Sequence, residues 1–232
     1  MRKAKKICVF GFMIVSALIM LISPIFANDG EKTAIRQVNT DKMKIALTFD
    51  DGPHKTQTDE ILDLLASYNI RATFFTVGEN AKRYPEKIKR ILAEGHEIGT
   101  HTYSHPQVKS LDYDALADEL KKTEAALYDI CSYKPKLLRP PCGVCSSNVK
   151  KAAKNFGYDI ILWSVDTRDW ASTSAEDIVD NIMTNTKSGS IILCHDCIWH
   201  VSPTKEALKK AIPKLISEGY EFVTVSELLS CQ

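Results

Sequence analysis

The sequence predicts an α/β fold, a distorted (β/α) barrel of about seven parallel strands in a single domain. Two patterns predict it. Short apolar runs alternate with segments of helical period, about seven times from Lys44 onward, and such alternation implies a mainly parallel sheet. The polar residues able to do chemistry follow the carboxyl ends of these runs, the face where barrel enzymes carry their sites. A doubly wound open sheet is the structural alternative.

The elements follow in order. Residues 44–49 read as a strand that ends at the turn signature Asp50-Asp51-Gly52-Pro53. Ile61, Leu64, Leu65 and Tyr68 recur at helical spacing. Residues 72–77 predict a strand, 85–94 a helix and 97–99 a short strand. Leu116, Leu120 and Leu127 place a long helix over 113–130. Then come a strand at 136–139, a helix at 148–156 and one strand spanning 158–165. A helix at 174–183, a strand at 190–194, a helix at 204–217 and a strand at 221–225 complete the pattern.

Composition sets the broad class. The 232 residues are 44% hydrophobic and 25% charged, which suits a chain with a substantial core. Nine prolines and ten glycines are too few for a disordered or collagen-like chain. Of the net charge of +1, Arg2, Lys3, Lys5 and Lys6 supply four positive charges, so the remainder sums to −3. Nucleic acid is thereby excluded as the main partner.

Those cations precede an uncharged run over 7–22 and then Ser23-Pro24-Ile25-Phe26-Ala27. This reads as a signal peptide over 1–27 cut after Ala27, or as an uncleaved N-terminal anchor. Either way the rest of the chain lies outside the cytoplasm, secreted or held at the surface, touching membrane only through that segment. Residues 28–43 are polar and aperiodic and read as a linker before a domain over 44–230.

Cys131, Cys142, Cys145, Cys194, Cys197 and Cys231 remain after the signal, and four of them form C-x-x-C pairs at 142/145 and 194/197. Disulfides are the default in an exported chain; free thiols and a four-thiolate zinc site are the alternatives.

The polar residues at the strand ends suggest metal-assisted hydrolysis. His101 and His105 stand at i and i+4, a spacing that brings two imidazoles together on a helical turn. Alone they could equally cap a loop. Two histidines and one carboxylate from the Asp50-Asp51 pair would leave a metal open to water. Of that pair, one can bind metal while the other acts as base. Arg139 would hold a carboxylate. Asp166 and Asp169 could be turn acids and Trp170 a core aromatic. His195, opposite a metal, becomes a general acid.

Five ordered motifs then resemble one known family. They are Thr48-Phe49-Asp50-Asp51-Gly52-Pro53, His101-Thr102-Tyr103-Ser104-His105, Arg139-Pro140-Pro141-Cys142-Gly143, Asp166-Thr167-Arg168-Asp169-Trp170 and Leu193-Cys194-His195. Together they resemble the polysaccharide deacetylases, carbohydrate esterase family 4, with its NodB homology domain. The resemblance implies metal-dependent removal of N-acetyl groups from a polysaccharide such as peptidoglycan or a chitin-type polymer. It implies Asp51, His101 and His105 as ligands of one divalent ion, zinc first, with cobalt, manganese or nickel able to serve. It implies Asp50 as general base held by Arg139, with Asp169 bracing Arg139 from the other side. His195 would be the general acid, tuned by Asp166. Trp170 and Leu193 would wall the acetyl pocket, and the backbone N–H of Cys142 would face the oxyanion.

Position 142 is commonly aromatic in the family, and the position of Cys194 is usually apolar. The paired cysteines flank the third and fifth motifs, which predicts at least one disulfide among the loops around the metal. The alternatives in function are an acetylxylan esterase or small-molecule amide hydrolase on this scaffold and, more remotely, a non-catalytic glycan-binding protein. A monomer is expected.

Overall fold

The computed structural model describes residues 33–198 and 203–232, so the expected signal or anchor segment lies outside the described residues. The strands are β1 (Lys44–Asp50), β2 (Thr73–Thr76), β3 (Glu97–Thr100), β4 (Leu137–Leu138), β5 (Asp159–Ile160), β6 (Val165–Asp166), β7 (Ile191–His195) and β8 (Glu221–Phe222). Seven of them run parallel in the order β5-β4-β3-β2-β1-β7-β6, with β8 pairing beside the start of β1. The helices are α1 (Gln57–Ser67), α2 (Gly78–Arg83), α3 (Pro85–Ala93), α4 (Tyr113–Cys131), α5 (Ser147–Phe156), α6 (Ala175–Asn185), α7 (Thr204–Ser217) and α8 (Val225–Leu229). The result is the expected distorted (β/α) barrel.

Strand period decides what faces where. On β1, Ile45, Leu47 and Phe49 join the main apolar cluster with α1, α6 and α7, while Ala46 lies in a second cluster with Val38, Ile191 and Val225. Thr48 and Asp50 share the parity of Ala46 and so point to the inner face. On β7, Ile192 and Cys194 belong to the main cluster, whereas Ile191, Leu193 and His195 take the inner parity. This alternation puts two polar side chains at the inner mouth of neighbouring strands, Asp50 beside His195 in register.

The single strand expected at 158–165 is two short strands at opposite ends of the sheet order. The chain between them turns its carbonyls inward: Ile161 and Leu162 accept from Arg139 Nε at 3.2 Å and Nη2 at 3.1 Å. The strand is interrupted where these carbonyls turn to the buried guanidinium.

The stretch expected as a linker is part of the fold at its end. Ile35 bridges to Ile161, Gln37 bridges to Ser190, and Val38 is fully buried. Short α2 and α8 went unrecognised in the sequence because each offers too few residues for a period to register.

Candidate active site

β1, β6, β7 and the segments after β1, β3, β4, β5 and β6 bring Asp50, Asp51, His101, His105, Cys142, Trp163, Asp166, Trp170, Leu193 and His195 around one cavity of about 330 Å³. All the site residues expected from the sequence line it except Arg139 and Asp169, which lie fully buried behind it. A larger cavity of about 720 Å³ opens elsewhere, among Arg71, Glu94, His96 and Tyr220. Its acids are already engaged, Glu94 with Arg90 and Glu221 with Lys44.

Asp51, His101 and His105 each offer a ligand atom within 4.8 Å of the others. His101 Nε2 lies 3.3 Å and His105 Nε2 3.4 Å from Asp51 Oδ1, a buried oxygen that accepts no hydrogen bond. His101 Nδ1 contacts the Arg139 carbonyl at 2.7 Å. A carbonyl only accepts, so Nδ1 carries a hydrogen and Nε2 is the ring atom that faces Asp51. Burial alone would lower the His101 pKa, but Asp50 and Asp51 outweigh it and hold it above its ordinary value. Burial would raise Asp51, yet His101, His195 and His105 keep it low. Positive charge is thus favoured where the three meet, and the donor set fits a divalent cation with positions left open.

The two histidines do not sit on a helical turn. The loop carrying them is irregular, with Thr102 at φ 69° and His105 at φ 54°, and brings the ring centroids to 5.0 Å. Local i, i+4 spacing found the pair for a reason that does not operate here.

Arg139 is fully buried and donates from Nη1 to Asp50 Oδ1 at 2.7 Å and to Thr48 Oγ1 at 2.8 Å. Its guanidinium lies 4.1 Å from the Phe75 ring centroid. Asp169 does not brace it. Instead Asp169 accepts from His195 Nδ1 and from the His195 backbone N–H, both at 2.8 Å, and from Thr204 Oγ1. The expected partners are therefore exchanged: two inner-face carbonyls and Thr48 complete Arg139, which frees Asp169 for β7. Asp166, expected to tune His195, accepts the backbone N–H of Arg168 at 2.9 Å and caps its own turn. Burial would lower the His195 pKa, but Asp169, then Asp50 and Asp51, raise it to about 9.

Trp163 was not anticipated. It lines the cavity, and a Cβ on Gly143 would come within 2.8 Å of its ring, so the ring seats under the Cys142–Gly143 turn. Both residues are left-handed there, φ 55° and 66°. The tryptophan precedes the fourth motif, and without the fold it reads as core.

The disulfide expectation is overturned. Cys131, Cys142, Cys194, Cys197 and Cys231 are free thiols. Cys194 points to the helix side, fully buried, while Cys142 is exposed at the cavity rim, so strand parity separates them. The four-thiolate site is absent too: among the described residues the only group able to hold a metal is Asp51, His101 and His105.

Known proteins share this sequence pattern and fold. The polysaccharide deacetylase family model matches residues 37–161. A peptidoglycan-N-acetylglucosamine deacetylase of Bacillus cereus is 44% identical over 188 residues, covering 81% of this chain and 68% of the relative. A crystal structure of a peptidoglycan N-acetylglucosamine deacetylase bound to 4-naphthalen-1-yl-N-oxidanyl-benzamide superposes with a TM-score of 0.81 at 41% identity. It covers 85% of this chain and 92% of that one. A family 4 acetyl xylan esterase from Clostridium thermocellum, with a cobalt ion, gives a TM-score of 0.75 at 35% identity, over 81% of this chain and 90% of that one. With the motifs, the barrel and the cavity in agreement, the chain belongs to the polysaccharide deacetylase family, carbohydrate esterase family 4.

Proposed function

We propose that the protein is a metal-dependent deacetylase that removes N-acetyl groups from an N-acetylglucosamine-containing cell-wall polysaccharide outside the cytoplasm. One observation carries the reading. A cation-favouring triad, a carboxylate held by a buried arginine and a histidine held by a buried aspartate face one cavity. The relatives' shared activity on peptidoglycan supports the substrate class.

In this reading Asp51, His101 and His105 hold the ion, zinc before cobalt, manganese or nickel. When bound, the ion supplies Lewis acidity, which brings the pKa of water from 15.7 to about 7 and polarises a carbonyl. Asp50 accepts the proton of the attacking water, and Arg139 keeps its carboxylate aimed into the cavity. The Cys142 backbone N–H faces the developing oxyanion. His195 carries a proton on each ring nitrogen below pH about 9: Nδ1 serves Asp169, and Nε2 gives its proton to the leaving amine. An amine leaves poorly unless protonated, so an amide substrate has need of this acid. Trp163, Trp170 and Leu193 enclose the acetyl methyl.

Acetate release tests the proposal, on N-acetylglucosamine oligomers and on acetylated xylan, before and after chelation and with zinc restored. Chelator-sensitive release from the amide substrate supports it. Release from xylan alone would turn the reading toward an O-esterase.

A further inference from the structure

The loops that carry the three candidate ligands are strained, and each is held from outside the cavity. Asp51 has φ 73°, a left-handed conformation that costs a non-glycine residue free energy and needs neighbours to maintain it. Asn80, on α2, donates from Nδ2 to the Asp51 carbonyl at 2.8 Å. The next residue is also fixed: the Val77 N–H donates to the Gly52 carbonyl at 2.9 Å. On its other side the buried Asp196 carboxylate occupies the space a Gly52 Cβ would need.

The histidine loop has its own holder. Glu119, on α4, accepts the backbone N–H of Tyr103 at 2.9 Å and of Ser104 at 2.8 Å, and the Ser104 hydroxyl at 3.0 Å. Those two residues lie between His101 and His105. The same loop meets α2 as well, since the Gly78 and Glu79 N–H groups donate to the Thr102 and Tyr103 carbonyls at 3.0 and 2.9 Å. The start of α2 therefore touches both loops at once, and Asn80 sits at that junction.

We infer that Asn80 and Glu119 are positioning residues for the metal centre, Asn80 setting the Asp51 carboxylate and Glu119 the His101–His105 loop. Neither lines the cavity, and each reaches the candidate ligands through their backbone. They act as partners of ligand groups do elsewhere, where loss costs about 10–100-fold in metal affinity. This rests on the reading of Asp51, His101 and His105 as the ligands.

The test is competition between the protein and a chromophoric chelator for zinc, with cobalt absorption as a second readout of ligand geometry. Asn80→Ala and Glu119→Ala should each weaken zinc binding by about 10-fold or more and alter the cobalt spectrum. Activity should return at saturating metal. Asn80→Ser and Glu119→Gln, which keep a donor or an acceptor, should lie between these and the parent protein, and they replace the alanine variants if those fail to fold. An unchanged zinc dissociation constant in variants that melt like the parent overturns the assignment of that residue. His101→Ala is the control for the underlying reading. If it too binds zinc normally, the ligand set is wrong; if it loses zinc while the Asn80 and Glu119 variants keep it, only this inference fails.

Discussion

Asp169 grips His195 twice, one carboxylate oxygen on the ring Nδ1 and the other on the backbone N–H, both at 2.8 Å. The carboxylate is fully buried and also accepts the Thr204 hydroxyl. A fixed negative charge at that distance favours the imidazolium, and the ring orientation it enforces leaves Nε2 facing the cavity.

Activity that depends on imidazolium should fall on the alkaline side. The His195 pKa is raised to about 9, so the acid form is present below that value and lost above it. A bound cation opposes the pull of Asp50 and Asp51 and brings the limb below 9. Asp169→Asn removes the largest stabilising charge, so its alkaline limb should move to lower pH, with a rate loss of about 10²–10⁴. A pH–rate profile that keeps its alkaline limb in Asp169→Asn would falsify the assignment.

Base and ligand should separate by substitution. Asp50→Asn should retain metal and lose roughly 10²–10⁴ in rate, while Asp51→Asn should lose metal. Metal analysis of the two purified variants decides this, and the reverse pattern would mean the roles are exchanged.

Arg139 should matter for stability as well as rate. It is 0% exposed, and its charge is met by Asp50. Arg139→Met strands a buried carboxylate and leaves the Ile161 and Leu162 carbonyls without their donor. Breaking a buried pair in this way costs roughly 3–5 kcal/mol, which urea unfolding would measure. A loss under about 1 kcal/mol would show that water reaches these groups.

His96 makes the fold acid-sensitive. Burial holds its pKa near 4, and its Nδ1 accepts the Ala72 N–H. Below the ordinary value of 6.5 the unfolded chain takes up a proton that the folded chain refuses until about pH 4. Stability therefore declines as pH falls through that window, by on the order of 3 kcal/mol when complete. Unfolding of the parent and of His96→Asn at pH 7, 5.5 and 4 should show a smaller decline in the variant. Parallel declines would place the sensitivity in other groups.

The thiols should differ sharply in reach. Cys142 is exposed at the cavity rim and should react with an alkylating reagent in the native protein, blocking acetate release. Cys194 is fully buried, with its pKa pushed well up by burial, and should react only after unfolding. Peptide mass mapping of briefly alkylated protein distinguishes the two, and labelling of Cys194 at the rate of Cys142 would contradict the packing.

The chain of residues by itself determined the alternation of strand and helix and the placing of the polar residues after strands, because both follow from local periodicity and turn chemistry. It also determined, through five motifs, which residues gather at the cavity. Partnership among them is another matter. Whether Asp169 serves Arg139 or His195 depends on the distance between two strand ends far apart in sequence, and only the sheet order decides it. Asp166 looked equally suited to hold His195, yet its carboxylate turns back on the Arg168 N–H. The cysteine pairing failed for a similar reason, since adjacent positions on a strand face opposite sides and Cys194 follows the inward Leu193. Trp163 and Asn80 were silent in the sequence because an aromatic before a motif and an amide on a six-residue helix carry no periodic signal. Their roles arise from what long-range packing sets against them, the Cys142–Gly143 turn in one case and the Asp51 carbonyl in the other.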